Sequence, residues 1–385
     1  MQRKKTAQRI ASMGTSIFAT MSKMAIENNA INLGQGFPDF DGPIWIMEEA
    51  FNAMKSGKNQ YAPSPGILSL RKEISNYQKK YYDLDYNPEK EIIVTAGATE
   101  ALYSSITAFI EPGDEVILFE PFYDSYPSNV ILAGGTPKYV TLYKSDFHFY
   151  PQELEDAISE KTKMIIVNTP HNPTGKVFSK EELEIIAQIA IKNDLLVLTD
   201  EVYEFLTYNQ QHIPIATIKG MKERTITVSS TGKTFGMTGW KVGYAMASEG
   251  LATAIQKVHQ WVTFAVNTPG QHAFAYAFSR LDEYLPEFRQ MYLSKRNLML
   301  DKLTETKFNG IIPFGSYFIM ANIPLSKYSN DVDAAMKLVT ENKVATIPPS
   351  VFYSKSEEGA TMLRLCFAKS DKTIIDGISA LKIDN

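Results

Sequence analysis

Short apolar runs alternate along the middle of the chain with segments of helical periodicity. In residues 180–192, for example, apolar side chains recur at intervals of three and four, the spacing of one buried helical face. Strands that alternate with helices predict a mostly parallel sheet covered by helices on both faces, an α/β architecture. The predicted strands are 92–95, 116–120, 164–168, 195–199, 225–229 and 242–246.

The two ends of the chain follow other patterns. Residues 1–40 are loosely patterned, and the chain becomes rich in Gly and Pro towards 34–43. Beyond residue 280 a charged helical pattern is followed by two further strands and a last helix, at 286–303, 317–323, 362–368 and 372–381. The length also favours more than one domain. We therefore predict a large domain over 44–280 and a smaller α/β domain from 1–43 and 281–385.

Composition narrows the classes of partner. A net charge of −4 gives no overall attraction to nucleic acid or an anionic membrane, and no apolar stretch is long enough to cross a bilayer. A single cysteine, Cys366, excludes an internal disulfide and fits a reducing compartment, so we expect a cytoplasmic protein. We expect no metal site, because no HExxH or Cys/His motif occurs among the histidines at 148, 171, 212, 259 and 272.

Polar residues gather where the predicted strands end. In an open parallel sheet, ligands bind beyond the carboxyl ends of the strands. The pattern predicts a helix that begins at 97, so the free N–H groups of Gly97, Ala98 and Thr99 would face an anion such as phosphate. Ser230 adds a hydroxyl and Lys241 a positive charge. Taken alone, Gly97–Thr99 is more typical of a simple helix-capping turn than of a phosphate site.

A second group of residues suits an aromatic, aldehyde-bearing cofactor. Asp200 at a strand end can keep a pyridine nitrogen protonated. Taken alone, however, Asp200-Glu201 is better explained as an acidic pair at a helix N-terminus. Tyr203 or Asn172 can bond a ring hydroxyl, and Tyr123 can stack on the ring. Lys233 is the candidate nucleophile, since a buried lysine amine condenses with aldehydes.

Lys233 also lies in a Gly-Lys-Thr sequence that resembles the end of a phosphate-binding P-loop. That motif needs a glycine five positions before Gly232, where this chain has Thr227. The P-loop interpretation is therefore rejected.

These residues resemble the class I/II aminotransferases of PLP fold type I, which use pyridoxal 5'-phosphate (PLP). The resemblance rests on Ser230-x-x-Lys233 followed by 237–243, on 172–175 and on 200–203. It implies a mostly parallel central sheet in a large domain, with a smaller α/β domain. It also implies Lys233 as the Schiff-base lysine and general base, with Asp200 and Tyr203 at the catalytic centre.

Other roles follow from the same resemblance. Arg364 matches the arginine that binds the substrate α-carboxylate, and Gly36 matches a glycine beside that carboxylate. Tyr61 matches a tyrosine that reaches the phosphate of the neighbouring subunit, which implies a homodimer. Lys241 stands where many relatives have arginine, and a lysine supplies charge without a planar fork.

Within the family, several segments resemble bacterial methionine aminotransferases of the kynurenine and glutamine branch: 14–18, 36–43, 168–173 and 263–269. Phe18, Tyr123 and Tyr126 suggest an apolar or aromatic substrate pocket, although ordinary packing also explains Phe18 and Tyr126. We predict ping-pong conversion of L-methionine, and of aromatic donors (kynurenine-like, Phe, Tyr) or glutamine, to 2-oxo acids with a 2-oxo acid acceptor. A cysteine-S-conjugate or cystathionine β-lyase is the alternative.

Overall fold

A seven-stranded sheet forms the centre of the computed structural model, which describes residues 6–11 and 13–382. The strand order is β2-β8-β7-β6-β5-β3-β4, and every neighbouring pair is parallel except those that involve β8. The strands are β1 (Ile31–Asn32), β2 (Ile92–Thr95), β3 (Glu115–Glu120), β4 (Thr136–Thr141), β5 (Thr162–Asn168), β6 (Leu196–Asp200), β7 (Thr225–Ser230), β8 (Gly243–Met246), β9 (Asn309–Gly310), β10 (Phe318–Asn322), β11 (Val344–Ala345) and β12 (Met362–Cys366).

Helices cover both faces of this sheet, as alternate residues of β3 show. Val116 and Leu118 belong to an apolar cluster that includes the helix after β2, whereas Ile117 and Phe119 belong to another that includes the helix after β5. The helices are α1 (Ile17–Glu27), α2 (Ile44–Lys55), α3 (Leu68–Tyr82), α4 (Gly97–Phe109), α5 (Ser125–Ala133), α6 (Pro151–Asp156), α7 (Lys180–Lys192), α8 (Thr231–Thr234), α9 (Glu249–Val262), α10 (Thr268–Ser279), α11 (Leu281–Leu303), α12 (Asp331–Lys337) and α13 (Asp371–Ala380).

The predicted α/β class is confirmed, and each predicted strand of the central region corresponds to a strand of the sheet. Helix α7 has the predicted bounds because Ser179 and Glu182 form a capping box at its start. Strand β4 has no counterpart among the predicted strands. It lies at the sheet edge, where its first four residues are incompletely buried and carry little of the apolar pattern that marks the inner strands.

The remaining strands form two small sheets. β1 pairs in parallel with β11, and β9, β10 and β12 form an antiparallel sheet. Helix α11 begins at Leu281, five residues before the predicted start at Pro286, so this proline lies in the second turn and removes one intrahelical hydrogen bond. The division into domains at 43/44 and 280/281 stays a prediction. Of the predicted small domain, residues 1–5, 12 and 383–385 lie outside the described part of the chain. Across 6–11 and 13–382, no helix combines the length and apolarity needed to span a bilayer.

Candidate active site

A cavity of about 340 Å³ lies at the carboxyl ends of the parallel strands. Of the residues predicted for the site, all but Tyr61 line this cavity: Phe18, Gly36, Ala98, Thr99, Tyr123, Tyr126, Asn172, Asp200, Tyr203, Ser230, Lys233, Lys241 and Arg364. Residues as far apart in sequence as Phe18 and Arg364 therefore meet at one place, although neither of these two lies at a strand end of the central sheet.

Lys233 extends from α8, directly after β7. Its Nζ donates to the hydroxyl oxygen of Tyr317 at 2.8 Å and to the carbonyl oxygen of Gly36 at 3.1 Å. The Tyr317 hydroxyl itself donates to the same carbonyl at 2.5 Å. Burial lowers the pKa of Lys233 to about 8. Because a neutral amine is the nucleophilic form, a useful fraction of Lys233 is reactive near neutral pH.

Asp200 is the last residue of β6 and is buried. The Tyr126 hydroxyl donates to its Oδ2 at 2.8 Å, and the backbone N–H of Val202 donates to its Oδ1 at 3.2 Å. Burial raises the pKa of Asp200 to about 6, while these hydrogen bonds oppose the rise. At neutral pH the group is therefore mostly a carboxylate, the form that stabilises a protonated pyridine nitrogen.

The opposite end of the cavity suits an anion. Helix α4 starts at Gly97 without a side-chain cap from Ala96, and Lys241 Nζ lies 3.3 Å from the Thr99 hydroxyl oxygen. Gly97 has a φ of +71°, and a Cβ on Gly243 would lie 2.5 Å from its carbonyl carbon. Uncapped N–H groups and an ammonium thus face the same space as the hydroxyl of Ser230.

Arg364 lies in the middle of β12 and is buried. Its Nη1 donates to Asn172 Oδ1 at 2.9 Å and its Nη2 to the carbonyl oxygen of Gly34 at 2.6 Å, whereas Nε has no partner in the described structure. The guanidinium carbon is 4.2 Å from the ring centroid of Phe318 and 4.9 Å from that of Phe18. A fixed, aromatic-walled guanidinium is suited to a planar carboxylate.

The model of the family "Aminotransferase class I and II" matches residues 28–381. This chain belongs to that family. The aminotransferase is 39% identical to the methionine aminotransferase of Escherichia coli K12 over 97% of each chain. It is 38% identical to the kynurenine–oxoglutarate transaminase of Dictyostelium discoideum, over 96% of this chain and 94% of the relative. Among solved structures, the N-succinyldiaminopimelate aminotransferase of Mycobacterium tuberculosis matches with a TM-score of 0.95 and 38% identity, over 98% and 99% of the two chains.

The predicted family, enzyme class and cofactor are confirmed, because class I and II aminotransferases depend on PLP. The side chains in the cavity fit that cofactor. An amine of lowered pKa, a buried carboxylate and an uncapped helix N-terminus match its aldehyde, its ring nitrogen and its phosphate, respectively.

Several residues of the aminotransferase site escaped the sequence interpretation. Asn168 ends β5 and accepts the Asn172 N–H at 2.8 Å, while its own amide donates to the Asp200 carbonyl at 2.9 Å. Its position at a strand end was a usable signal. Tyr317, which contacts Lys233, directly precedes β10, and Phe318 is the first residue of that strand. Neither lies at the carboxyl end of a strand, where ligand-binding residues are expected. The other unpredicted residues of the lining are Gln35, Leu102, Val202 and Thr238.

Tyr61 does not belong to the cavity of its own chain. Its side chain is 82% exposed and meets the ring of Phe264 edge-on at 5.3 Å, and Trp261 is 85% exposed. Exposed aromatic side chains of this size are typical of surfaces that are buried by association.

Proposed function

We propose that this aminotransferase takes L-methionine and aromatic amino acids, with glutamine as a further donor, and passes the amino group to a 2-oxo acid. The observation that carries this proposal is the distribution of positive charge. Lys233, Lys241 and Arg364 are the lysines and arginines of the cavity lining, and each already has a partner in the proposed complex. Among the described residues of one chain, an acidic substrate side chain would meet no further cation in this lining, whereas a thioether or aromatic ring gains from contact with apolar walls.

The walls beside Arg364 support the same preference. Phe18 stacks on Phe352 at 5.7 Å and lies 6.5 Å from Tyr123, whose ring meets Tyr126 edge-on at 5.6 Å. The methionine and kynurenine relatives agree with such a pocket, although the similar relative named for N-succinyldiaminopimelate shows that the family also includes other donors.

Each residue has a stated place in the proposed complex with PLP. Lys233 would hold the cofactor through its aldehyde, Asp200 would keep the ring nitrogen protonated, and Tyr203 and Asn172 would bond the ring hydroxyl. Asn172 Oδ1 already accepts from Arg364, which leaves the amide nitrogen as the donor. Ala98, Thr99, Ser230 and Lys241 would hold the phosphate, and Tyr123 would stack on the ring.

The bound cofactor supplies a carbonyl carbon for the amino group and a ring that draws electrons from the substrate α-carbon. Arg364 and Gly36 hold the substrate carboxylate. Lys233 Nζ, set free when the substrate amine takes its place on the cofactor, would accept the substrate α-proton as a general base and give it back later in the reaction. Tyr317 and the Gly36 carbonyl orient the free amine for this transfer, because both lie within hydrogen-bond distance of Nζ. The same groups serve a second 2-oxo acid in reverse, which gives ping-pong kinetics.

A homodimer is the proposed assembly, with Tyr61 reaching the phosphate in the site of the partner. The support is the exposed face formed by Tyr61, Trp261 and Phe264. The protein is expected to sediment as a dimer.

Single-turnover reactions with individual amino acids test the donor preference. We expect loss of the cofactor's visible absorbance with methionine, phenylalanine, tyrosine and kynurenine at low concentration, and with aspartate or glutamate only at much higher concentration. A clear preference for aspartate would contradict the proposed pocket. Pyruvate released from cystathionine without any acceptor oxo acid would instead select the β-lyase alternative.

Arg364→Lys is expected to lower kcat/KM by about 10- to 100-fold for every donor, because lysine keeps the charge but loses the two-pronged geometry. Most of the change should appear in KM, measured by steady-state kinetics with methionine and phenylalanine. Arg296→Lys is the matched control, since Arg296 is a buried arginine that bonds the Pro313 carbonyl outside the cavity lining. An unchanged KM in Arg364→Lys would contradict the proposed role of Arg364 in binding the substrate carboxylate.

A further inference from the structure

His259 is a fully buried histidine of α9 that lies outside the cavity lining. Its Nδ1 is 2.9 Å from Glu100 Oε1, and its Nε2 is 2.8 Å from the carbonyl oxygen of Ser64. Both neighbours accept hydrogen bonds. A neutral imidazole has only one N–H, so beside an ionised Glu100 both contacts are satisfied only when the ring is an imidazolium.

The charges around His259 favour this form. Burial lowers the pKa of His259, but the hydrogen bond and charge of Glu100 and the bond to Ser64 raise it above its usual value overall. From α4 the ring faces Glu100, and from the segment before α3 it faces the Ser64 carbonyl. Gln256 of the same helix adds only a neutral amide, which donates to the Ser64 hydroxyl at 2.8 Å.

Glu100 connects this histidine to the phosphate end of the site. It lies in the first turn of α4, and its Oε2 accepts the backbone N–H of Ala96 at 2.7 Å. Ser104 Oγ donates to Oε1 at 2.9 Å. Ala96 directly precedes Gly97, so the carboxylate fixes the backbone from which the phosphate-facing N–H groups project.

Ser64 connects the same histidine to the subunit surface. It lies three residues after Tyr61, and the carbonyl of the next residue, Pro65, accepts the Val94 N–H at 3.0 Å. His259 therefore joins the first turn of α4 to the segment that carries Tyr61.

We propose that His259, as an imidazolium paired with Glu100, is a positioning residue that holds the first turn of α4 in the shape that binds the cofactor phosphate. The inference rests on the proposed placement of the phosphate at this turn. It assigns a role to two buried charged residues that touch neither substrate nor cofactor.

Two substitutions of His259 separate its two contacts. The amide nitrogen of glutamine stands near the position of Nε2, so His259→Gln keeps the bond to Ser64 and leaves Glu100 without its partner. The amide nitrogen of asparagine stands near Nδ1, so His259→Asn keeps the bond to Glu100. His148→Gln is the control, because His148 pairs with Asp146 on the surface.

The test measures dissociation constants of PLP and of pyridoxal, which lacks the phosphate, for each apoenzyme at pH 7. Loss of a hydrogen bond to a charged group should weaken PLP binding about tenfold in His259→Gln and change pyridoxal binding less than about twofold. His259→Asn, whose neutral amide keeps the hydrogen bond to Glu100 but not the charge, should weaken PLP binding less than His259→Gln does, and the control should stay within about threefold of wild type. Equal weakening of both ligands, or a wild-type PLP constant in His259→Gln, would overturn the proposal.

The pH dependence provides a second, independent readout. The raised pKa means that the pair is intact below it and is lost as pH rises through it, so the difference between wild type and His259→Gln should shrink at alkaline pH. Should His259→Gln fail to fold, Glu100→Gln answers the question, because its amide can bond a neutral imidazole. In Glu100→Gln, the plot of the PLP dissociation constant against pH should lose the alkaline inflection that is due to His259. An inflection that remains would contradict the pairing. A wild-type protein that binds no PLP would instead contradict the proposed function itself.

Discussion

Replacing Lys233 with alanine is expected to lower transamination by at least about 10⁴-fold, because in the proposed complex one side chain provides both the covalent attachment and the general base. The geometry supports both roles: the amine is held by Tyr317 and Gly36, and its pKa is lowered to about 8 by burial. Turnover with methionine and a 2-oxo acid acceptor gives the measurement.

Lys241→Ala is the matched control for this experiment. Lys241 lies in the same cavity but beside Thr99, at the phosphate end. We expect it to weaken PLP binding by about tenfold and to keep most of its turnover when the cofactor is saturating. Comparable losses of turnover in Lys233→Ala and Lys241→Ala would show that activity depends only on positive charge in the cavity. Full turnover by a folded Lys233→Ala protein would refute the catalytic assignment.

Asp200→Asn should lower kcat by about 10³-fold, the size of effect seen when a charge that stabilises a transition state is removed. Asparagine has nearly the same shape as aspartate but no negative charge to keep the ring nitrogen protonated. The substitution should change kcat far more than KM, since Asp200 does not contact the substrate carboxylate in the proposed complex. Stopped-flow measurement of the half-reaction with methionine isolates this step.

Tyr126→Phe distinguishes the charge of Asp200 from its orientation. It removes the 2.8 Å hydrogen bond to Oδ2 and leaves the carboxylate in place. The expected loss is about tenfold, the contribution of one hydrogen bond to a charged group. A loss in Tyr126→Phe as large as that in Asp200→Asn would indicate that position rather than charge is decisive.

The sequence allowed much of the site to be predicted, because parallel strands of one sheet end at the same edge. Asp200 ends β6, Lys233 follows β7, and Gly97 follows β2 within two residues. The local pattern locates each strand end, and the parallel topology brings these ends together at one edge of the sheet. Arg364 is different, since a strand interior gives no such signal, and only the resemblance to the family identified it.

Contacts between distant segments were beyond the reach of local pattern. Tyr317 reaches Lys233 across 84 positions of sequence, and His259 reaches Glu100 across 159. Each of these residues looks like ordinary core when its own segment is considered alone. The antiparallel direction of β8 was also unpredicted, since an apolar run has the same composition in either direction.

The central claim is that Lys233 carries the cofactor, and chemical fixation tests it most directly. The holoenzyme is reduced with borohydride, which makes the bond between cofactor and amine permanent, and is then digested and analysed by mass spectrometry. The account predicts a phosphopyridoxyl group on the peptide that contains Lys233, at that residue. A label on Lys241 or on any other lysine, or no label on a protein that holds PLP, would contradict it.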